Sequence, residues 1–152
     1  MPGYSLGNGP VHFVTDRTQD VQPRRLGDGK HPGAAYEGDQ SSLAANRETY
    51  RTRQHAALAL INAIDGLSCL PPAGVFYLYV NCGGVIGKRK QDGTALESDG
   101  DVVLYLLENA EVALVAGAAY GLSPYFRISI ATDLDTIETG IARIARALSQ
   151  LT

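Results

Sequence analysis

The sequence predicts an α+β fold in which a small sheet packs against helices. Three observations predict it. Near the C-terminus, Leu134, Ile137, Ile141, Ile144, Leu148 and Leu151 recur at steps of three and four, which aligns one apolar helix face. Just upstream, Phe126, Ile128 and Ile130 alternate with Arg127 and Ser129, the two-residue period of a half-buried strand. Residues 74–80 read GVFYLYV, the β-branched and aromatic composition of a second strand.

Taken in order, the chain starts without pattern. Pro2, Gly3, Gly7, Gly9 and Pro10 punctuate its opening, and Val11, Phe13 and Val14 form one apolar patch. Residues 15–33, TDRTQDVQPRRLGDGKHPG, are polar and carry no helix or strand period. Residues 1–38 are therefore expected to be irregular or disordered, and the organised domain is expected over 39–152. A helix capped by Ser41 or Ser42 should run to about Ile64, with Leu43, Tyr50, Ala57, Leu58, Ile61 and Ile64 near one face. Asp65-Gly66 ends it, glycine suiting a left-handed position. A short strand over 67–70 stops at Pro71-Pro72. After the GVFYLYV strand, residues 82–97 form a glycine-rich loop with the basic run Lys88, Arg89 and Lys90. A second helix follows over 99–110, with Asp99 and Asp101 at its capped start and Val102, Val103, Leu106 and Leu107 inward. A short strand over 112–115 and a loop lead to the strand carrying Arg127. Thr132 then caps the last helix, with Asp133 and Asp135 where its dipole favours anions and Arg143 and Arg146 towards its other end.

Bulk properties exclude several functions. The 152 residues suit one domain. Thirteen basic residues against sixteen acidic ones give a net charge of −3, no footprint for nucleic acid or an anionic membrane surface. The apolar runs fall short of the ~20 residues of a membrane span. The opening MPGYSLGNGP has neither a basic start nor an apolar core, so no secretory leader is expected. Cys69 and Cys82 lack a CxxC arrangement and are expected to be buried thiols in a reducing compartment, the cytoplasm. His12, His31 and His55 lack metal-ligand spacing, and no metal site is expected. The GDGKHPG stretch at 27–33 lacks the spacing and the strand–helix context of a phosphate-binding loop. Ser123 lacks the flanking glycines of a nucleophile elbow.

Arg127 remains. Its neighbours in sequence are apolar, so it faces away from Phe126, Ile128 and Ile130. Two readings stand. It is a strand-edge arginine paired with a surface carboxylate, or it is a planar, permanently charged fork held on a rigid strand to bind a carboxylate bidentately. A loop carrying Gly121, Ser123 and Pro124 lies beside it in sequence, where ligands usually enter.

The segment GAAYGLSPYFRISIATDLDTIETGIARIARAL resembles the C-terminal end of class I pyridoxal-phosphate-dependent aminotransferases of fold type I, most closely the aspartate/prephenate branch. The resemblance continues upstream. ESDGDVVLYLLENAEVALVAG is similar to that family's helix and strand before the active-site loop. AGVFYLYVNCGGVIGK is similar to its GAFY-type strand, and GDQSSLAANRETYRTRQHAALALINAIDGLSC to the helix entering its small domain. Together these cover residues 38–151. The resemblance implies the small domain of that fold, amino-group transfer between an amino acid (aspartate the expected donor) and a 2-oxo acid, pyridoxal 5′-phosphate as cofactor, and a dimer. It implies that Arg127 clamps the substrate α-carboxylate.

The opening GYSLGNGP resembles the segment after the family's S-K-x-x-x-M-T-G-W-R motif, whose lysine bonds the cofactor and whose arginine binds its phosphate. Both possible registers place that lysine before residue 1, and one puts Ser5 where the arginine belongs. Lys30, Lys88 and Lys90 stand in other contexts. The expectation is a C-terminal fragment: an irregular remnant over 1–38 and a small domain over 39–152. It would have no catalytic residue and no covalent hold on the cofactor, and would be inactive alone. The alternatives are a non-catalytic remnant or interaction module that pairs with a full-length aminotransferase subunit, and a small-ligand module that uses Arg127 for carboxylates.

Overall fold

A computed structural model describes Val11, His12 and residues 40–152. Apart from those first two residues, the expectations for 1–38 lie outside the described residues. In chain order the elements are β1 (Val11–His12), α1 (Ser41–Asn62), β2 (Tyr77–Asn81), α2 (Asp99–Ala110), β3 (Val112–Ala113), β4 (Val115–Ala116), a 3₁₀ turn (Gly117–Tyr120), β5 (Tyr125–Ser129) and α3 (Leu134–Leu148). β5 is the central strand of a three-stranded antiparallel sheet, with β2 on one side and β4 on the other. β1 pairs in parallel with β3 as a separate two-stranded ladder, a pairing that the unpatterned sequence around it did not foretell. The architecture is α+β, as the sequence predicted.

The strand alternation holds residue by residue. Phe126, Ile128 and Ile130 are buried, as are Leu78 and Val80 on β2, and all five join the main core. α3 packs on both α1 and α2, and α2 reaches the sheet through β4 and β5. The α3 face follows the predicted spacing in its centre, where Ile137, Ile141, Ile144 and Leu148 are buried; Leu134 and Leu151 at its ends are partly buried, and Leu151 lies beyond the helix. The Tyr105 hydroxyl donates to the Ala147 carbonyl at 2.8 Å, tying α2 to α3. Arg143 reaches Glu111 at 3.1 Å across the same junction.

Several local readings change. α1 is preceded by Gln40, which makes no side-chain cap, and Ser41 lies inside the helix. Only Ala57 and Ile61 of α1 are buried, and Leu43 is exposed, so among the described residues the main core meets only the second half of the helix. Residues 67–70 form no strand; they contribute one bridge, Ser68 to Asn81. β2 starts at Tyr77 rather than at residue 74, because Val75 adopts φ +71°, outside the extended region. On α2 the inward set is Val102, Tyr105, Leu106 and Ala110, while Leu107 is exposed. The strand expected over 112–115 divides at buried Leu114 into β3 and β4, which serve two sheets. The cap of α3 is Asp133, one residue beyond Thr132. Its side chain accepts the Thr136 N–H at 2.8 Å and the Thr136 hydroxyl at 2.8 Å. These bonds hold its carboxyl below the usual range. Cys69 and Cys82 are buried free thiols.

Candidate functional site

The outward face of the sheet carries Arg127. Its strand is central, so the strand-edge reading does not describe it. Arg127 stands opposite Tyr79 on β2 and Val115 on β4. Its guanidinium carbon lies 4.4 Å from the centre of the Tyr77 ring and 4.8 Å from that of Tyr120. Tyr77 comes from β2, one pleat away on the same face, and Tyr120 from the 3₁₀ turn. Ring stacking engages the flat faces of a guanidinium and leaves its in-plane N–H donors available. Among the described residues no carboxylate lies within ion-pairing distance of Arg127. A half-buried, stacked guanidinium with free donors can bind a carboxylate through two parallel hydrogen bonds. It cannot move a proton, because arginine stays protonated.

The loop that delivers Tyr120 is closed by its own backbone. Leu122 N–H donates to the Gly117 carbonyl at 3.0 Å, and Gly121 N–H to that of Ala118 at 3.1 Å. Gly121 takes φ +70°, and a side chain at Gly117 would collide with the Leu122 and Tyr125 carbonyls. Asp99 completes the closure. Its two oxygens accept the Ala118 N–H at 2.8 Å and the Ser123 hydroxyl at 3.1 Å. The sequence reading placed Asp99 in a capped helix start, but the capping belongs to its neighbours. Ser98 accepts the Asp101 N–H at 3.2 Å, and Asp101 accepts the Ser98 hydroxyl and the Glu97 N–H. Those two hydrogen bonds pull the Asp101 carboxyl below its usual range. Asp99 is 1 % exposed, the one buried charged residue among those described. Nothing in SDGD separates the buried Asp99 from the partly exposed Asp101; only the approach of loop 117–124 does. Below this loop, burial pushes the Cys82 thiol up to about 11, helped by the Asp99 charge.

Beside Arg127 the same face holds a groove of about 650 Å³, lined by Leu70, Pro72, Val75, Tyr77, Tyr79 and Tyr125 among others. Among the described residues no cluster of three His, Cys, Asp or Glu side chains stands ready for a metal.

Residues 33–144 match the family described as aminotransferase class I and II, and a PLP-bound crystal structure from Clostridium difficile superposes with a TM-score of 0.62 at 25 % identity, over 76 % of this chain and 28 % of that one. The chain is 43 % identical over 118 residues to an aspartate aminotransferase of Rhizobium meliloti, covering 78 % of this chain and 29 % of that protein. It is 41 % identical over 110 residues to an aspartate/prephenate aminotransferase of Cereibacter sphaeroides, covering 72 % and 28 %. A crystal structure of the Rhizobium meliloti aspartate aminotransferase superposes with a TM-score of 0.76 at 42 % identity, over 78 % of this chain and 30 % of that one. The chain thus spans under a third of the length of these relatives.

The described residues do not make a seat for the cofactor. Lys88 reaches Asp65 at 3.5 Å, and Lys90 lies 6.0 Å from the centre of the Tyr105 ring, on the side of α2 that meets α3. Neither lysine is brought to the face that carries Arg127, and that face holds no other cation among the residues stacked on it.

Proposed function

The chain belongs to the class I and II aminotransferases, and we propose that Arg127 is its carboxylate clamp, binding the α-carboxylate of an amino acid or a 2-oxo acid. The observation that carries this reading is a guanidinium on the central strand, stacked on Tyr77 and Tyr120, with no carboxylate partner among the described residues. A guanidinium so placed supplies charge and orientation, the positioning part of catalysis. Aspartate is the amino donor we favour, after the relatives' names.

Amino-group transfer itself requires a cofactor seat that Lys88 and Lys90, engaged elsewhere, do not supply. Lys30 lies outside the described residues and, in sequence, outside the family's cofactor-lysine context; on this reading the chain alone is inactive as a transaminase and does not hold pyridoxal 5′-phosphate covalently. Its buried free thiols support a reducing compartment, the cytoplasm. Incubating the purified chain with aspartate, 2-oxoglutarate and pyridoxal phosphate should give no turnover; turnover would overturn the inactivity. Titration with 2-oxoglutarate alone should saturate, and Arg127→Ala should abolish that binding. Equal affinity in the two proteins would remove the clamp.

A second reading is favoured by the groove beside Arg127, where Leu70 is 87 % and Val75 71 % exposed. Apolar surface of this kind marks a contact with further protein. A homodimer, or pairing with a full-length aminotransferase subunit, would cover it. Sedimentation of the chain with and without such a subunit tests this.

A further inference from the structure

We propose that Asp99 is a positioning residue for Arg127, acting through loop 117–124 and Tyr120. The inference rests on the carboxylate-clamp reading and adds to it the group that keeps the clamp in shape. Asp99 touches neither Arg127 nor the groove; its two oxygens hold the loop near its start, at Ala118 N–H, and near its end, at the Ser123 hydroxyl. Tyr120 lies between these two attachments. Its side chain cannot be fixed by burial, since the residue is 52 % exposed. Yet its ring stacks 4.8 Å from the Arg127 guanidinium. The ring rides on a backbone that Asp99 ties to the body of the fold on both sides of Tyr120, while Cys82 holds only the loop's far end, at the Pro124 carbonyl.

The chemistry suits aspartate specifically. Two donors, one N–H and one O–H, converge on two acceptor oxygens at the first residue of α2, where the helix dipole favours a negative charge. Asparagine would offer one acceptor and set an N–H₂ group against the second donor. Alanine would remove both acceptors, leaving the Ala118 N–H and the Ser123 hydroxyl without this partner. Holding Tyr120 in place orders the long arginine side chain before a carboxylate arrives, which lowers the ordering cost of binding.

The test uses the whole chain, labelled with ¹⁵N, and reads the Arg127 Nε–H resonance, which a ring stacked on the guanidinium displaces. Tyr120→Leu gives the resonance position without that ring. In Asp99→Asn and in Ser123→Ala the resonance should move towards that position while the amide spectrum stays that of the folded chain. The affinity for 2-oxoglutarate should fall about three- to tenfold in Asp99→Asn, the ordering cost of one flexible side chain. An unmoved Nε–H resonance in the folded variants would overturn the proposal and leave Asp99 a purely structural residue. So would a moved resonance with unchanged affinity. Should Asp99→Asn fail to fold, Ser123→Ala, at an exposed position, carries the same test. The resonance is read without ligand, so failure of the clamp reading (2-oxoglutarate binding untouched by Arg127→Ala) is seen separately from failure of the Asp99 role.

Discussion

The two faces of the three-stranded sheet are written by alternate residues of the same strands, and they make opposite demands. Inward, Leu78, Val80, Phe126 and Ile128 are at most 1 % exposed and meet the packed core. Outward, Tyr77, Tyr79, Tyr125 and Arg127 are half-buried, and the arginine stacks on rings rather than pairing with a carboxylate. The inner face asks for apolar volume, which several residues could supply. The outer face asks for particular groups in particular places. Stability and binding are thereby separated across one pleat, and either can be altered with little effect on the other.

Neighbouring residues give the sharpest way to break that comparison. Ile128→Ala should cost about 2–5 kcal/mol in urea unfolding, the range for a buried isoleucine that leaves a cavity. Arg127→Leu, one residue away, should cost under about 1 kcal/mol, the value of ring contacts at a half-exposed site, while it removes carboxylate binding. Comparable losses at the two positions would show that the outer face also holds the fold.

The titrating groups extend the contrast to pH. Cys82 belongs to the interior, and its thiol is pushed from 9.0 to about 11 by burial first and by Asp99 second. A raised thiol stays neutral in the folded chain after the unfolded chain has begun to ionise. Stability should therefore fall as pH rises from 9 to about 11, and Cys82→Ala should flatten that fall in thermal melts. Asp133 is an exposed helix cap, held down by the Thr136 hydroxyl and N–H. Its contribution is complete above the ordinary aspartate value near ~4 and is lost as pH falls through the lower folded value. Asp133→Asn keeps a capping oxygen and should remove this acid-side loss. The effect is the smallest of the set, because the carboxylate is bathed in solvent and screened by salt. A larger slope from Asp133 than from Cys82 would reverse the ranking of the two environments.

Much of this was legible in local pattern. The period of 126–130 set Arg127 apart from the core, and the spacing from Leu134 onward set the buried face of α3; both rest on backbone geometry that acts within a few residues. The same patterns misjudged α1, whose first half reads as amphipathic but has no buried residue, since a repeat does not say whether a partner surface exists. They also placed Leu107 inward and did not single out Tyr105, although it is Tyr105 that is buried and reaches Ala147.

By itself, then, the sequence determined the α+β class, the inner and outer sides of β5, the last helix and the one arginine worth attention. Only the tertiary structure decided what surrounds that arginine. Tyr77 arrives from another strand, Tyr120 from the 3₁₀ turn, and Asp99 from a helix start that looks like an ordinary cap. The Tyr77 stack and the Asp99 hydrogen bonds join residues distant along the chain; Tyr120 is near in sequence, but nothing in its spacing says that its ring turns back onto the arginine. The division follows from the range of the forces: dihedral preference and periodicity act along the backbone, whereas the environment of a charge is set by whichever segments fold against it.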